Sequence, residues 1–168
     1  PLCDWSSDVC SSDLGVSMSF FDKLKNGFTA GRAELTNQVS RFRNRKFMEG
    51  VTAVCALVSM ASDGAGSEEK QKMIGYIKNS DELKVFDTAE VIAFFNKIVA
   101  NYDFDKEVGK GEAMKYVVRL RDERDAAQLM IRVGIAIGGS DGDFDDKEKA
   151  CVREICQAVG LSPSDFGL

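Results

Sequence analysis

Residues 140–148 read SDGDFDDKE, placing Asp141, Asp143 and Asp145 at alternate positions and Glu148 three residues further on. Clustered carboxylate oxygens are what hard cations such as calcium or magnesium take as ligands. An earlier stretch, MASDGAGSEEK, carries Asp63, Glu68 and Glu69, and NYDFDKE adds a third acidic turn with Asp103, Asp105 and Glu107. An EF-hand is excluded. Counted from Asp141, Asp146 occupies the sixth position, where the loop needs Gly, and Val152 the twelfth, where a bidentate Glu belongs. A cation site would have to be built differently, from both stretches together. Its candidate ligands are Asp63, Glu68, Glu69, Asp141, Asp143, Asp145 and Glu148. The same acids also suit ordinary helix capping and the positive end of a helix dipole, so a cap-only role explains much of the pattern.

Other chemistry has little to work with. The chain has no His, which removes the usual triads and general bases. Its glycines form neither a dinucleotide fingerprint nor a phosphate-binding loop. Of five cysteines, Cys3 and Cys10 lie at the extreme N-terminus, while Cys55, Cys151 and Cys156 fall in apolar helical contexts. An odd number in such settings suggests reduced thiols in the cytoplasm. Cys151 and Cys156 are five apart, roughly 140° around a helix, so they do not face together. With no His and no close cysteine pair, zinc or copper is not expected.

The elements that must carry the acidic turns read as helices throughout. The body of the chain lacks proline until Pro163, which favours long helices. Residues 47–61 are apolar and rich in Ala and Val, a buried helix ending at Asp63-Gly64. Ser67, Ser80 and Thr88 are cap candidates. Val91, Ile92, Phe95, Ile98, Val99 and Tyr102 give a strong helical period. YDFDKEVGKG reads as a loop, and Met114, Val117, Val118 and Leu120 as the next helical face. Asp125 with Gln128 resembles a capping box, as does Asp145 with Glu148. Ser162 and Pro163 predict a terminal turn. Ser62-Asp63-Gly64 matches Ser140-Asp141-Gly142, and Glu69-Lys70 matches Glu148-Lys149 after one inserted residue. The expectation is an all-α, single-domain helical bundle with a helix–acidic turn–helix unit used twice.

The first residues differ in kind. Asp4 to Leu14, DWSSDVCSSDL, back-translates to a string resembling a short-read sequencing adapter, so residues 1–17 are expected to be an artefactual or disordered tail, with Met18 as the native start. A native peptide containing Trp5 in a mass spectrum would contradict this. Residues 18–46 form a basic amphipathic segment. Phe20, Phe21, Leu24 and Phe28 share one side, a stripe suited to a membrane surface or a partner. The run RFRNRKF suits an anionic membrane surface. A short basic run is more often a solvated face, and nucleic acid is not expected. Residues 18–47 carry a net charge of +5 and residues 48–168 of −7, an interaction arm followed by an acidic body.

Several long stretches, among them MSFFDKLKNGFTAGRAELTNQVSRF, SDGAGSEEKQKMIGYI, ELKVFDTAEVIAFFNKIV and AAQLMIRVGIAIGGSDGDFDDKEKACVREI, resemble the tellurite-resistance TerB family. The likeness runs from Met18 to Leu168, with residues 47–168 as the helical domain. It implies an all-helical fold with a repeated core and links to tellurite resistance, stress response and phage defence. It also implies a membrane-embedded Ter protein and other Ter components as partners, and a metal-binding role for acidic residues. Those carry over to Asp63, Glu68, Glu69, Asp141, Asp145 and Glu148. The expected function is a non-enzymatic, metal-responsive adaptor, cytoplasmic and peripheral at the inner membrane. The alternatives are a structural interaction module without metal and a thiol-dependent tellurite-handling enzyme.

Overall fold

The structure is a computed structural model that describes residues 29–62 and 66–168. Seven α-helices and two short 3-10 turns, with no strand, make up the described residues: α1 (Thr29–Val39), α2 (Arg45–Ser59), α3 (Ser67–Asn79), α4 (Thr88–Phe104), α5 (Lys106–Val118), α6 (Arg124–Gly138) and α7 (Asp146–Ala158), with 3-10 turns at Ser40–Phe42 and Pro163–Phe166. The all-helical expectation is met. The tail 1–17, the Phe20–Phe28 stripe, and the Asp63-Gly64 turn with Ala65 lie outside the described residues.

Helix α2 is the axis of the bundle. Every residue from Phe47 to Ser59 is buried, because the stretch is apolar but for Glu49, Thr52 and Ser59 and α3 to α7 all pack around it. A helix this apolar is stable only when surrounded. Asn44 starts it, its side chain accepting the Phe47 amide at 2.9 Å. The closest partner is α6, and the crossing depends on missing side chains. A Cβ on Gly134 would stand 2.3 Å from Val54 Cγ1, and one on Gly138 would stand 3.0 Å from Val58 Cγ1. Gly134 and Gly138, one turn apart, thus face Val54 and Val58, also one turn apart, and the helices settle into contact along that row.

Around this axis the caps set the helix ends. Asp87 caps α4 by accepting the Glu90 amide at 2.9 Å, so Thr88 is the first helical residue rather than the cap. Gly66, not Ser67, occupies the cap position of α3. Asp125 and Gln128 form no capping box: α6 begins at Arg124, after Glu123, without a side-chain cap. The expected loop at residues 102–111 is mostly helix. Asp105 alone breaks the chain, and its carboxylate accepts the Val108 amide at 3.0 Å to start α5 at once. Gly109 and Gly111 lie inside α5. Gly109 is there because a Cβ would meet the Tyr102 ring at 2.5 Å, a tertiary demand invisible to a turn rule.

Residues 29–46 pack onto the same body. Leu35 and Val39 are buried against the core. Arg32 reaches the fully buried Glu82, with Nε 2.7 Å from Oε1 and Nη2 3.3 Å from Oε2. Glu49, nearly buried inside α2, is held by Arg45 at 2.9 Å and Arg119 at 3.0 Å. At the C-terminus, Phe166 of the last 3-10 turn is fully buried. No described helix is long and apolar enough to cross a membrane.

Two helix pairs stand where the repeat was expected, α2 into α3 and α6 into α7, but this order does not confirm an internal repeat, and the Asp63-Gly64 turn of the first pair is not described. They are not alike at the helix starts. α7 has a capping box, with the Glu148 amide on Asp145 Oδ1 and the Asp145 amide on Glu148 Oε2, both at 2.8 Å. α3 has no side-chain cap.

Candidate functional site

The α6–α7 turn is shaped by three local features. Gly142 adopts φ +80°, in the left-handed region that favours glycine. Asp141 Oδ1 accepts the Asp143 amide at 3.0 Å. Phe144, in the middle of the acidic run, is 4% exposed, its ring lying within contact distance of where side chains on Gly138 and Gly139 would stand. An apolar anchor inside the acidic turn therefore pins it to α6 and holds its carboxylates at the rim.

The other unit comes to meet it. Ser62, leading out of α2, donates to Asp145 Oδ2 at 3.3 Å. From α3, the Lys72 ammonium stands 3.0 Å from Asp141 Oδ2. Glu69, Lys72 and Tyr76 of α3 share a small crevice of about 20 Å³ with Asp141 and Glu148, room for one water or one small ion. The two units thus converge on one rim.

The electrostatics of the crevice are uneven. Burial pushes the Glu148 carboxyl up to about 7, and the carboxylates of Asp145, Asp141 and Asp143 add to the rise against the opposing Asp145 amide. Burial would raise Asp141 too, but the Asp143 amide, Lys72 and the Tyr76 hydroxyl outweigh it and hold that carboxyl below its usual range. Lys72 is in turn raised by its hydrogen bond to Asp141, and Tyr76 by burial. Glu148 is therefore a carboxylate that ionises only reluctantly near neutral pH, beside one already neutralised by an ammonium.

Of the candidate ligands, Glu69, Asp141 and Glu148 line this crevice, and Asp145 abuts it through the shared cap. Asp143 and Glu68 are exposed to solvent, and Asp63 lies outside the described residues. Among the described residues, no three acidic or thiol side chains are already close enough to hold a metal ion. The donor chemistry suits a hard cation, but Asp141 is engaged by Lys72. Lys72 and Tyr76 are participants the sequence reading passed over. The available signal was helical spacing: Glu69, Lys72 and Tyr76 recur at i, i+3 and i+7 on one side of α3.

The thiols among the described residues offer no comparable site. Cys55 and Cys156 are buried and Cys151 is half-buried. Burial pushes Cys55 and Cys151 up to about 12 and Cys156 to about 11, so all three stay protonated and weakly nucleophilic.

A family model described as tellurite resistance protein TerB matches residues 48–168. The tellurium resistance protein TerB of Alcaligenes sp. is 64% identical over 120 residues, covering 71% of this chain and 98% of that protein. No solved structure matches.

Proposed function

The chain belongs to the TerB family of tellurite resistance proteins, and on that premise we propose that it is a non-enzymatic adaptor whose paired acidic turns respond to a divalent cation, calcium or magnesium. The observation that carries this reading is the meeting of α3 with the α6–α7 turn at one crevice, lined by Glu69, Asp141 and Glu148 together with Lys72, which pairs with Asp141. A cation entering there would replace the Lys72 ammonium, draw Glu148 into its ionised form and bring the ends of α3 and α7 into a new register. The carboxylates would be the ligands, and the cation would supply charge neutralisation and cross-linking rather than catalysis. The adaptor would pass that change to a membrane-embedded Ter partner and other Ter components, from the cytoplasmic side of the inner membrane. An attachment through the basic segment 18–46 would weaken with salt, since exposed charges are screened over about 10 Å at 0.1 M.

A second reading has its own support. Lys72 already neutralises Asp141, and Asp145 and Glu148 already satisfy each other in a capping box. On that view the turns are helix clamps of a purely structural interaction module. The thiol-dependent enzyme is disfavoured by three protonated, largely buried thiols. Calcium and magnesium titrations of Asp141→Asn and Glu148→Gln, alongside tellurite resistance of cells carrying them, separate the first two readings. Lost cation affinity and lost resistance in stably folded variants support the adaptor. Retained resistance without any cation binding supports the clamp. Loss of resistance in a triple Cys→Ser variant would revive the enzyme.

A further inference from the structure

Helices α4 and α5 form an antiparallel hairpin. The Tyr102 ring lies under Gly109 at one end, and the Phe94 and Tyr116 rings meet edge to face, centroids 4.8 Å apart, towards the other. Both helices pack on α2 and bury one side, with Phe95 and Ile98 from α4 and Ala113 and Val117 from α5. The opposite side, at helical spacing, presents Lys97, Ala100 and Phe104 from α4 and Val108, Lys115 and Val118 from α5, all exposed. Phe104, Val108 and Val118 are the large apolar side chains left exposed among the described residues, at 86%, 48% and 40%. We propose that this face seats on an anionic lipid bilayer, with Phe104 and Val108 entering the interface and Lys97 and Lys115 reaching the lipid phosphates. The adaptor reading places attachment on segment 18–46; the hairpin is a separate contact surface and needs no cation.

Single exposed apolar residues are ordinary, whereas a set confined to one face marks an interaction surface. The charges on this face point to the partner. Residues 48–168 carry a net −7, yet both charged residues in the middle of the face are lysines. Apolar side chains flanked by lysines complement an anionic membrane interface, and lysine stems can lie along apolar surface while the ammonium reaches a phosphate. The nearby acids are engaged elsewhere. Glu112, at the edge, pairs with Lys115, Asp103 pairs with Lys70, and Asp105 caps α5 by accepting the Val108 amide.

Gly111 is an independent pointer. It sits inside α5, where glycine weakens a helix, and it is exposed on the same face. A Cβ there would meet nothing within 4 Å, so packing does not require the glycine as the Tyr102 ring requires Gly109. A flat surface lying along the hairpin would.

The test is flotation of the full chain with vesicles of phosphatidylcholine and phosphatidylglycerol in equal parts, compared with phosphatidylcholine alone. The chain should float with the anionic vesicles and much less with the neutral ones. Phe104→Glu and Gly111→Glu, both in open positions that leave the fold intact, should each weaken binding about tenfold, and Lys97→Gln about fivefold, the share of one lysine near an anionic surface. Phe104→Trp should strengthen it, because Trp favours the membrane interface. No flotation, or equal flotation with neutral vesicles, would overturn the proposal. So would flotation lost in the double variant Arg41→Glu, Arg43→Glu but untouched by Phe104→Glu and Gly111→Glu, which would assign attachment to the basic segment alone. A dimer in sedimentation velocity that Phe104→Glu dissolves would give the face to a second copy of the chain and equally overturn it.

Discussion

Lys72 of α3 reaches across to Asp141 in the turn before α7, Nζ to Oδ2 at 3.0 Å. This contact joins one helix–turn–helix unit to the acidic turn of the other. It also puts a fixed positive charge where a divalent cation would sit. On the proposed reading the ammonium and the cation would compete for that place. Lys72→Met should remove the competitor and tighten calcium binding about fivefold, the effect expected of one partly exposed charge pair. Calorimetric titration of the variant against the parent measures this, and unchanged or weaker binding would mean that Lys72 does not compete.

Glu148 gives a pH dependence with a definite sign. Its carboxyl stands at about 7 in the fold against an ordinary 4.5, so the fold favours the protonated form. The stability this contributes is fully present below the ordinary value and is lost as pH rises through the folded one. Glu148→Gln keeps a neutral side chain that can still close the capping box. Parent and variant should melt alike at about pH 4, and the variant should be more stable by about 1 kcal/mol at about pH 8, a figure discounted for the half-exposed site. Thermal melts at the two pH values decide it.

The Gly134 contact with Val54 predicts a different kind of loss. Gly134→Ala would drive a methyl into a side chain 2.3 Å away in the fully buried α2–α6 seam. Helix propensity alone would favour Ala by about 1 kcal/mol. Overpacking costs about 1–3 kcal/mol and should dominate, lowering the denaturant midpoint. A paired Val54→Ala change should recover part of it.

Arg32 tests whether α1 is fastened to the body. Removing it by Arg32→Ala leaves the fully buried Glu82 carboxylate without its partner. Breaking a fully buried pair costs about 3–5 kcal/mol, and about 2 kcal/mol is expected here because Arg32 itself is part-exposed. Hydrogen exchange should show α1 amides losing protection before those of α2.

Much of this architecture was legible in local pattern. The largely apolar run of α2 and the capping box of Asp145 and Glu148 needed only neighbours in sequence. The failures share a physical cause. Gly109 and Gly111 read as loop residues because the reason for a glycine inside α5 is the Tyr102 ring of another helix. Asp125 and Gln128 had capping spacing, but α6 starts two residues earlier than that cap requires, after Glu123, and the box never forms. In the candidate site, the acids of the α6–α7 turn were visible, whereas Lys72 and Tyr76 became participants only once α3 was docked against that turn. Phe144 read as one residue in an acidic string, and its role as the turn's anchor came from burial against α6.

Whether the crevice takes a cation is measured most directly by calorimetric titration of calcium and of magnesium into the full chain near neutral pH. The adaptor reading predicts saturable binding at or below about 1 mM, the range of weaker oxygen-ligand sites, with proton release as Glu148 ionises. Asp141→Asn and Glu148→Gln should each weaken it about tenfold, as expected for loss of one charged ligand, while the exposed control Asp122→Asn should not. An absence of heat and of proton release for both ions at millimolar concentration would contradict the cation-responsive site and leave the acidic turns as helix clamps.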